Sequence, residues 1–161
     1  MDQPNRKKNR LQNYDYSQNG AYFITICTKD RKCNLSEIVG ATINRAAYAR
    51  LTPWGRCVEK AILRIPVCYP GIRLEKYVIM PNHIHLLLMI DTVPGRPRVA
   101  PTVSRIVQQT KGLATKMIGR TVFQKSYHDR IIRDDAEYQM VWQYIDNNPA
   151  LWELDCFYTE E

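Results

Sequence analysis

The chain contains three histidines, and two of them, His83 and His85, stand one residue apart in the apolar run "YVIMPNHIHLLLMI" (Tyr77 to Ile90). Alternate side chains of a strand share a face, so His83, His85, Leu87 and Met89 point one way and Ile84, Leu86, Leu88 and Ile90 the other. Two imidazoles close together on one surface suit two ligands of a single metal ion, and suit two unpaired buried bases poorly. Histidines that merely pack in the core are the plain alternative. Zinc would call for a third protein ligand, whereas Mg2+ or Mn2+ would call for oxygens, water and a substrate phosphate.

A second set of candidates lies about sixty residues downstream, in "DDAEYQMVWQYIDNN". Asp134 as N-cap with Glu137 three residues on has the spacing of a capping box. Tyr138, Val141, Trp142 and Ile145 form the apolar stripe that must face the rest of the protein. Tyr144 and Asn148 are one turn apart on the shoulder of that stripe, with Glu137 on the same ridge further up. Beside a sheet presenting two histidines, a phenol and a carboxamide make a composite site. A half-buried aromatic and a helix C-cap are the alternatives. His128 and Asp129 stand close to this helix in sequence, either near the metal or in simple packing.

The elements that must position these residues follow from pattern. "AYFITICTK" (Ala21 to Lys29), "IRLEKYVIM", "HIHLLLMI" and "VFQKSYHDRIIR" read as strands. Residues 30–50 are weakly patterned. "TPWGRCVEKAILRI" reads as a helix with Thr52 as N-cap and Pro53 at the first helical position. Val103, Ile106, Val107, Thr110, Ala114 and Met117 define one face of a second helix. The helix that carries Tyr144 ends at Pro149, because a residue before proline resists the α conformation. The order β, α, β, β, α, β, α is that of an α+β, ferredoxin-like split βαβ fold with an antiparallel sheet, plus a C-terminal helix. One domain over 1–161 is expected, with a basic N-terminal arm at 1–20 and a Pro-rich loop at 92–101.

Charge is unevenly placed within a net +7. Nine Lys/Arg face one acid, Asp129, between Arg96 and Arg133, whereas eight acids and no cation lie from Asp134 onward. The basic stretch and the arm suit a polyanion, with Arg6, Lys7, Lys8, Arg105, Lys111, Lys116 and Arg120 as backbone contacts. The acidic tail is expected to turn away from DNA or to be tempered by a metal. Five scattered cysteines include no Cys-x-x-Cys pair, which counts against a zinc knuckle. No apolar segment approaches the length of a membrane span and none follows the first basic cluster, so a cytoplasmic protein is expected.

"MPNHIHLLL" followed by "YIDNNPALW", together with "LQNYDYSQNGAYFITICTKDR" and "SYHDRIIRDDAEYQMVWQYI", resembles the single-tyrosine transposases of the HUH (histidine–hydrophobe–histidine) endonuclease superfamily. The branch it looks most like is that of the REP-associated tyrosine transposases, and the resemblance covers most of the chain. It implies the HUH endonuclease fold, with His83 and His85 as metal ligands, Asn148 as a third polar ligand and Tyr144 as nucleophile. It also implies a divalent cofactor, Mg2+ or Mn2+, and single-stranded hairpin DNA as partner in a cytoplasmic, nucleoid-associated setting. A homodimer with the tyrosine helix supplied in cis or in trans remains open. The expected reaction is DNA cleavage and strand transfer through a 5′-phosphotyrosine. The rival reading is a non-catalytic ferredoxin-like nucleic-acid-binding module. A hydrolase using metal-bound water would leave Tyr144 without a chemical role.

Overall fold

The computed structural model describes residues 19–40, 42, 45–91 and 102–159. The Pro-rich loop and most of the basic arm, with Arg6, Lys7 and Lys8, lie outside the described residues. The elements run β1 (Gly20–Cys27), β2 (Ser36–Val39), β3 (Tyr48–Leu51), α1 (Pro53–Leu63), α2 (Ile65–Cys68), β4 (Ile72–Ile79), β5 (His83–Ile90), α3 (Val103–Ile118), β6 (His128–Ile132) and α4 (Asp135–Asn147). Single 3-10 turns occupy Lys29–Arg31 and Trp152–Leu154.

The main sheet has the order β4-β5-β1-β6 with every pair antiparallel. Leaving aside the β2–β3 hairpin and the single-turn α2, this is the split βαβ arrangement expected from the sequence, followed by α4. Tyr22, Ile24 and Ile26 of β1 and Ile84, Leu86, Leu88 and Ile90 of β5 bury one face against α1 and α3, through Val58, Ile62, Ile106 and Val107. The opposite face, with Ala21, Leu87 and Ile132, packs on Val141 and Ile145 of α4. Strand β5 is therefore covered on both sides, which is why its sequence is a continuous apolar run and not an alternation.

Caps set the helix starts as their residue types dictate. Thr52 Oγ1 accepts from Gly55 N at 3.1 Å, and Asp134 Oδ1 accepts from Glu137 N at 2.8 Å. Helix α3 ends at Gly119 in the left-handed conformation, φ 83. Asn148 keeps helical dihedrals (φ −55, ψ −43) although Pro149 follows it. The turn thus stays regular through Asn148, which holds that residue one turn from Tyr144.

Two local differences have physical reasons. The stretch 30–50 contains the β2–β3 hairpin, whose strands are four residues long and too short to show a period. The last strand is shorter than "VFQKSYHDRIIR" suggested and begins at His128. Ahead of it, Lys111 Nζ donates to the carbonyls of Gln124, Lys125 and Ser126 at 2.8–3.3 Å, so that segment is satisfied without a ladder. Among the described residues no helix is long and apolar enough to cross a membrane.

Gly55 marks the closest backbone approach in the α1 layer. A Cβ there would lie inside the van der Waals shell of the Leu35 carbonyl oxygen. That same oxygen accepts from Thr52 N at 3.0 Å, so it cannot retreat freely. Gly55→Ala should therefore destabilise the fold by about 2 kcal/mol or more, lowering Tm by roughly 4–8 °C in thermal unfolding. An unchanged Tm would show that the hairpin moves aside at no cost.

Candidate functional site

The site is assembled at one end of the sheet, between β5 and α4. His83 and His85 are on the α4 side of β5, and their Nε2 atoms lie 3.0 Å apart. Both are buried, at 0% and 1% exposure. Each ring is fixed through its other nitrogen. His83 Nδ1 lies 2.9 Å from Asn82 Oδ1, and His85 Nδ1 lies 2.9 Å from Thr25 Oγ1 on the neighbouring strand β1. Phe23, also on β1, stacks on His85 with ring centroids 5.0 Å apart.

The partner of His83 determines its tautomer. Asn82 Nδ2 donates to the Phe157 carbonyl at 2.8 Å, so Asn82 Oδ1 must face His83 and accept its Nδ1–H. His83 Nε2 is left as a bare lone pair aimed at His85. The Thr25 hydroxyl both donates and accepts, so it can serve either tautomer of His85. His85 can thus donate from Nε2 to His83, or present a second bare nitrogen to a cation held between them.

Helix α4 lays its apolar stripe on the sheet as its sequence requires, with Val141 and Ile145 buried and Tyr138 and Trp142 packed beside them. Tyr144 and Asn148 then fall at the histidine end. The Tyr144 ring centroid is 5.2 Å from that of His85, and the residue keeps 39% exposure. Asn148 is 2% exposed, and its Oδ1 is buried without a hydrogen-bond partner. A buried, orphaned amide oxygen is costly unless something binds it.

Sequence reasoning did not single out Asp155. Its carboxylate accepts from Asn148 Nδ2 at 2.7 Å and from the Tyr144 hydroxyl at 3.2 Å, and stands 3.9 Å from His83 Nε2. One ligand atom from each of His83, His85 and Asp155 lies within 4.8 Å of the others. Two neutral nitrogens, a carboxylate and an orphaned amide oxygen make a mixed N/O donor set that fits a divalent cation. Nothing in the sequence distinguished Asp155 from the other acids of the tail, since it follows a helix end in an irregular turn. Asn82 had a signal, as a polar residue directly ahead of the two histidines in an apolar run.

Burial acts on the whole cluster. It pushes His83 down to about 4, against the opposing effects of Asp155 and the Asn148 carboxamide. Burial and the neighbouring His83 hold His85 well below the ordinary imidazole value. Both rings are neutral at pH 7, the form that ligates metals. Burial and Asp155 push Tyr144 up to about 12.

Other expected residues are placed elsewhere. His128 pairs with Thr25 on the histidine face, one strand beyond it, whereas Asp129 pairs with Ile24 and turns to the opposite face. Glu137 accepts from Arg133 N and pairs with Arg130 at 3.1 Å, so it is engaged away from the histidines. Arg105, Lys116 and Arg120 are exposed on and just after α3, across the sheet from the site. Lys111, expected to contact DNA, has its ammonium in the three carbonyl bonds described above, and burial lowers its pKa. Of the acidic tail, Asp146 pairs with Lys76 at 2.6 Å and Asp155 enters the site.

Asn82 is the residue that fixes which nitrogen of His83 faces inward. Partners of this kind typically contribute 10–100-fold to metal affinity. Asn82→Ala should weaken Mn2+ binding by about that factor in calorimetric titration. An unchanged affinity would show that the ring is positioned by packing alone.

No protein-family model matches the chain. An uncharacterized protein of Haemophilus influenzae is 31% identical over 175 residues, an alignment that covers 96% of this chain and 94% of that one. Among solved structures, a REP-associated tyrosine transposase bound to a REP hairpin matches with a TM-score of 0.64 at 20% identity, over 88% of this chain and 73% of the other. That fold agrees with the resemblance carried by "MPNHIHLLL" and "YIDNNPALW". The chain belongs to one family with the Haemophilus influenzae protein and has the fold of the REP-associated tyrosine transposases that its motifs resemble.

Proposed function

We propose that the protein is a transposase, a metal-dependent endonuclease and strand transferase acting on single-stranded hairpin DNA through a 5′-phosphotyrosine on Tyr144. The observation that carries this reading is the convergence of an exposed phenol, two neutral histidines and an orphaned amide oxygen at one point of this fold. The solved neighbour of the same fold is itself bound to a REP hairpin, which supports a hairpin substrate here. A divalent ion, Mg2+ or Mn2+, held by His83, His85 and Asn148 with Asp155 beside them, would supply a Lewis acid for the scissile phosphate.

The chain's own residues account for the rest of the chemistry. Tyr144 attacks phosphorus through its hydroxyl oxygen, and the O–P bond forms as the bond to the 3′-oxygen breaks. The phenol proton has to leave in that step, and Asp155 Oδ2, 3.2 Å away, is an acceptor within reach. The departing 3′-oxygen takes up a proton and becomes a free hydroxyl. Because the phosphoester is conserved on the tyrosine, rejoining to the same or another 3′-OH needs no nucleotide. Asn148 and Asp155 hold the tyrosine turn in register with the histidines. All these side chains come from one chain, so a site in cis needs no homodimer.

A cleft of about 960 Å³ lies between the β2–β3 hairpin and the segment after α4, lined by Pro81, Trp152 and Tyr158 among others and by neither histidine nor Tyr144. Aromatic rings in such a groove suit unstacked bases better than a duplex. In a non-catalytic binding module, neither the orphaned Asn148 oxygen nor the exposed Tyr144 would have a purpose.

The test is incubation with labelled single-stranded hairpin DNA and Mg2+ or Mn2+, followed by a denaturing gel. A covalent protein–DNA adduct is expected with the wild-type chain and none with Tyr144→Phe. An adduct that persists in Tyr144→Phe would remove the nucleophile assignment. His83→Ala combined with His85→Ala should abolish metal-dependent cleavage while circular dichroism retains the fold. Unchanged cleavage in that double variant would refute the ligand set.

A further inference from the structure

The turn after β1, Lys29–Arg31, is the other unusual feature at the histidine end of the sheet. Asp30 and Arg31 both have left-handed backbones, φ 56 and φ 53. Two consecutive non-glycine residues in that region are uncommon and strained, and such strain collects at functional sites. The surroundings hold the turn in place. Thr28 Oγ1 donates to the Lys32 carbonyl at 2.9 Å, Lys29 N donates to the Val122 carbonyl at 2.7 Å, and Asn82 Nδ2 reaches the Arg31 carbonyl at 3.4 Å. Asn82 is also the residue that orients His83, so one amide fixes both the turn and the metal-facing ring.

The strained turn carries Arg31 to the mouth of the site. Its guanidinium lies 5.2 Å from the centroid of Phe157, whose ring in turn lies 4.7 Å from that of His83. Among the described residues its one side-chain hydrogen bond is a long one, 3.4 Å to the Cys156 carbonyl. No ion pair joins it to Asp30 or to any other carboxylate among the described residues. The charge of Arg31 is felt at His83, which it disfavours from protonating. Lys29 and Lys32 flank it, and all three cations are exposed. Helix α4 and the segment after it carry only acids, and the cations of β4 and β6 on this face, Lys76 and Arg130, are paired with Asp146 and Glu137. None of the three cations of this turn has an ion pair among the described residues.

We propose that Arg31, presented by the strained Lys29–Lys32 turn, is the phosphate-binding residue of the site and holds the DNA backbone next to the scissile group. A guanidinium presents a planar fork of donors that matches a phosphate bidentately, which neither a carbonyl at 3.4 Å nor a ring face does. On binding, Arg31 exchanges those two weak partners for a phosphate, and Lys29 and Lys32 extend the contact along the strand. The inference rests on the DNA-processing reading above and identifies how this site takes hold of its substrate.

The experiment is equilibrium binding of a fluorescein-labelled DNA hairpin with a single-stranded 5′ tail, by anisotropy across a salt series without divalent metal. Arg31→Ala is expected to weaken binding about tenfold at low salt. It should also make the slope of log affinity against log salt shallower by about 0.7, one phosphate's worth for a single strand. Arg31→Lys should retain the slope and lose only part of the affinity. Arg73→Ala, which removes the same charge at the far end of the sheet, should change neither quantity. Unchanged affinity and slope in Arg31→Ala would overturn the assignment, and so would an affinity loss with an unchanged slope, which marks a structural effect. Because no cleavage is involved, the two readings fail separately. A missing Tyr144 adduct with an Arg31-dependent slope sinks the transposase chemistry and keeps the phosphate contact, and the converse result does the opposite.

Discussion

Two imidazole nitrogens 3.0 Å apart in the protein interior constrain everything placed around them. A strand supplies the coincidence cheaply, because its period of two puts His83 and His85 on one face without any special backbone. Keeping two neutral imidazoles together is harder. Each must be held by its remote nitrogen, and the dry environment must favour the neutral ring. Asn82 and Thr25 provide the first condition, on one side from the residue preceding β5 and on the other from the adjacent strand. The sheet and the segment containing Trp152 and Phe157 provide the second. The fold is therefore arranged around a point where two neutral imidazoles, the Asp155 carboxylate and the Asn148 amide oxygen converge.

The molecule is also electrically two-sided. The layer of α1 and α3 carries exposed Arg56, Lys60, Arg105 and Lys116, whereas α4 and the segment after it carry acids and no cation. A helix with this charge repels a polyanion. Its acids are nevertheless largely committed: Glu137 to a cap and to Arg130, Asp146 to Lys76, and Asp155 to the site. Lys76 additionally lies 4.2 Å from the Trp142 ring centroid, fastening α4 to β4. Part of the acidity of the tail thus serves docking, with Glu137 and Asp155 drawn in from solvent while Asp134, Asp135, Asp146 and Glu153 stay exposed.

This distinction explains how far the sequence could be read. The histidine face of β5 and the apolar stripe of α4 were legible because both follow from a single period, and their meeting follows from the topology. Tyr144 and Asn148 came with the stripe. The β2–β3 hairpin was not legible, because four-residue strands with half-exposed side chains carry too few positions to define a pattern. Lys111 shows the limit for charge: composition gives the sign, but only the fold shows that this ammonium is turned onto three carbonyls. Asp155 lies in an irregular turn, where no spacing rule relates it to the histidines. Its place is decided by tertiary structure alone.

Burial has opposite consequences for the two halves of the site. Removing water favours the neutral form of every titratable group. For His83 and His85 the neutral form is the one able to ligate a metal, and deep burial favours it. For Tyr144 the neutral form is the resting one, and burial together with Asp155 pushes the phenol up to about 12. In the proposed reaction, a phenol buried as deeply as the histidines would keep its proton. The shoulder position on α4 resolves the conflict: the ring stacks at the edge of the histidine cluster while 39% of the residue stays exposed. One helix turn further on, Asn148 takes a buried position, at 2% exposure. The spacing of four between them therefore leaves the proposed nucleophile near water and the proposed ligand away from it.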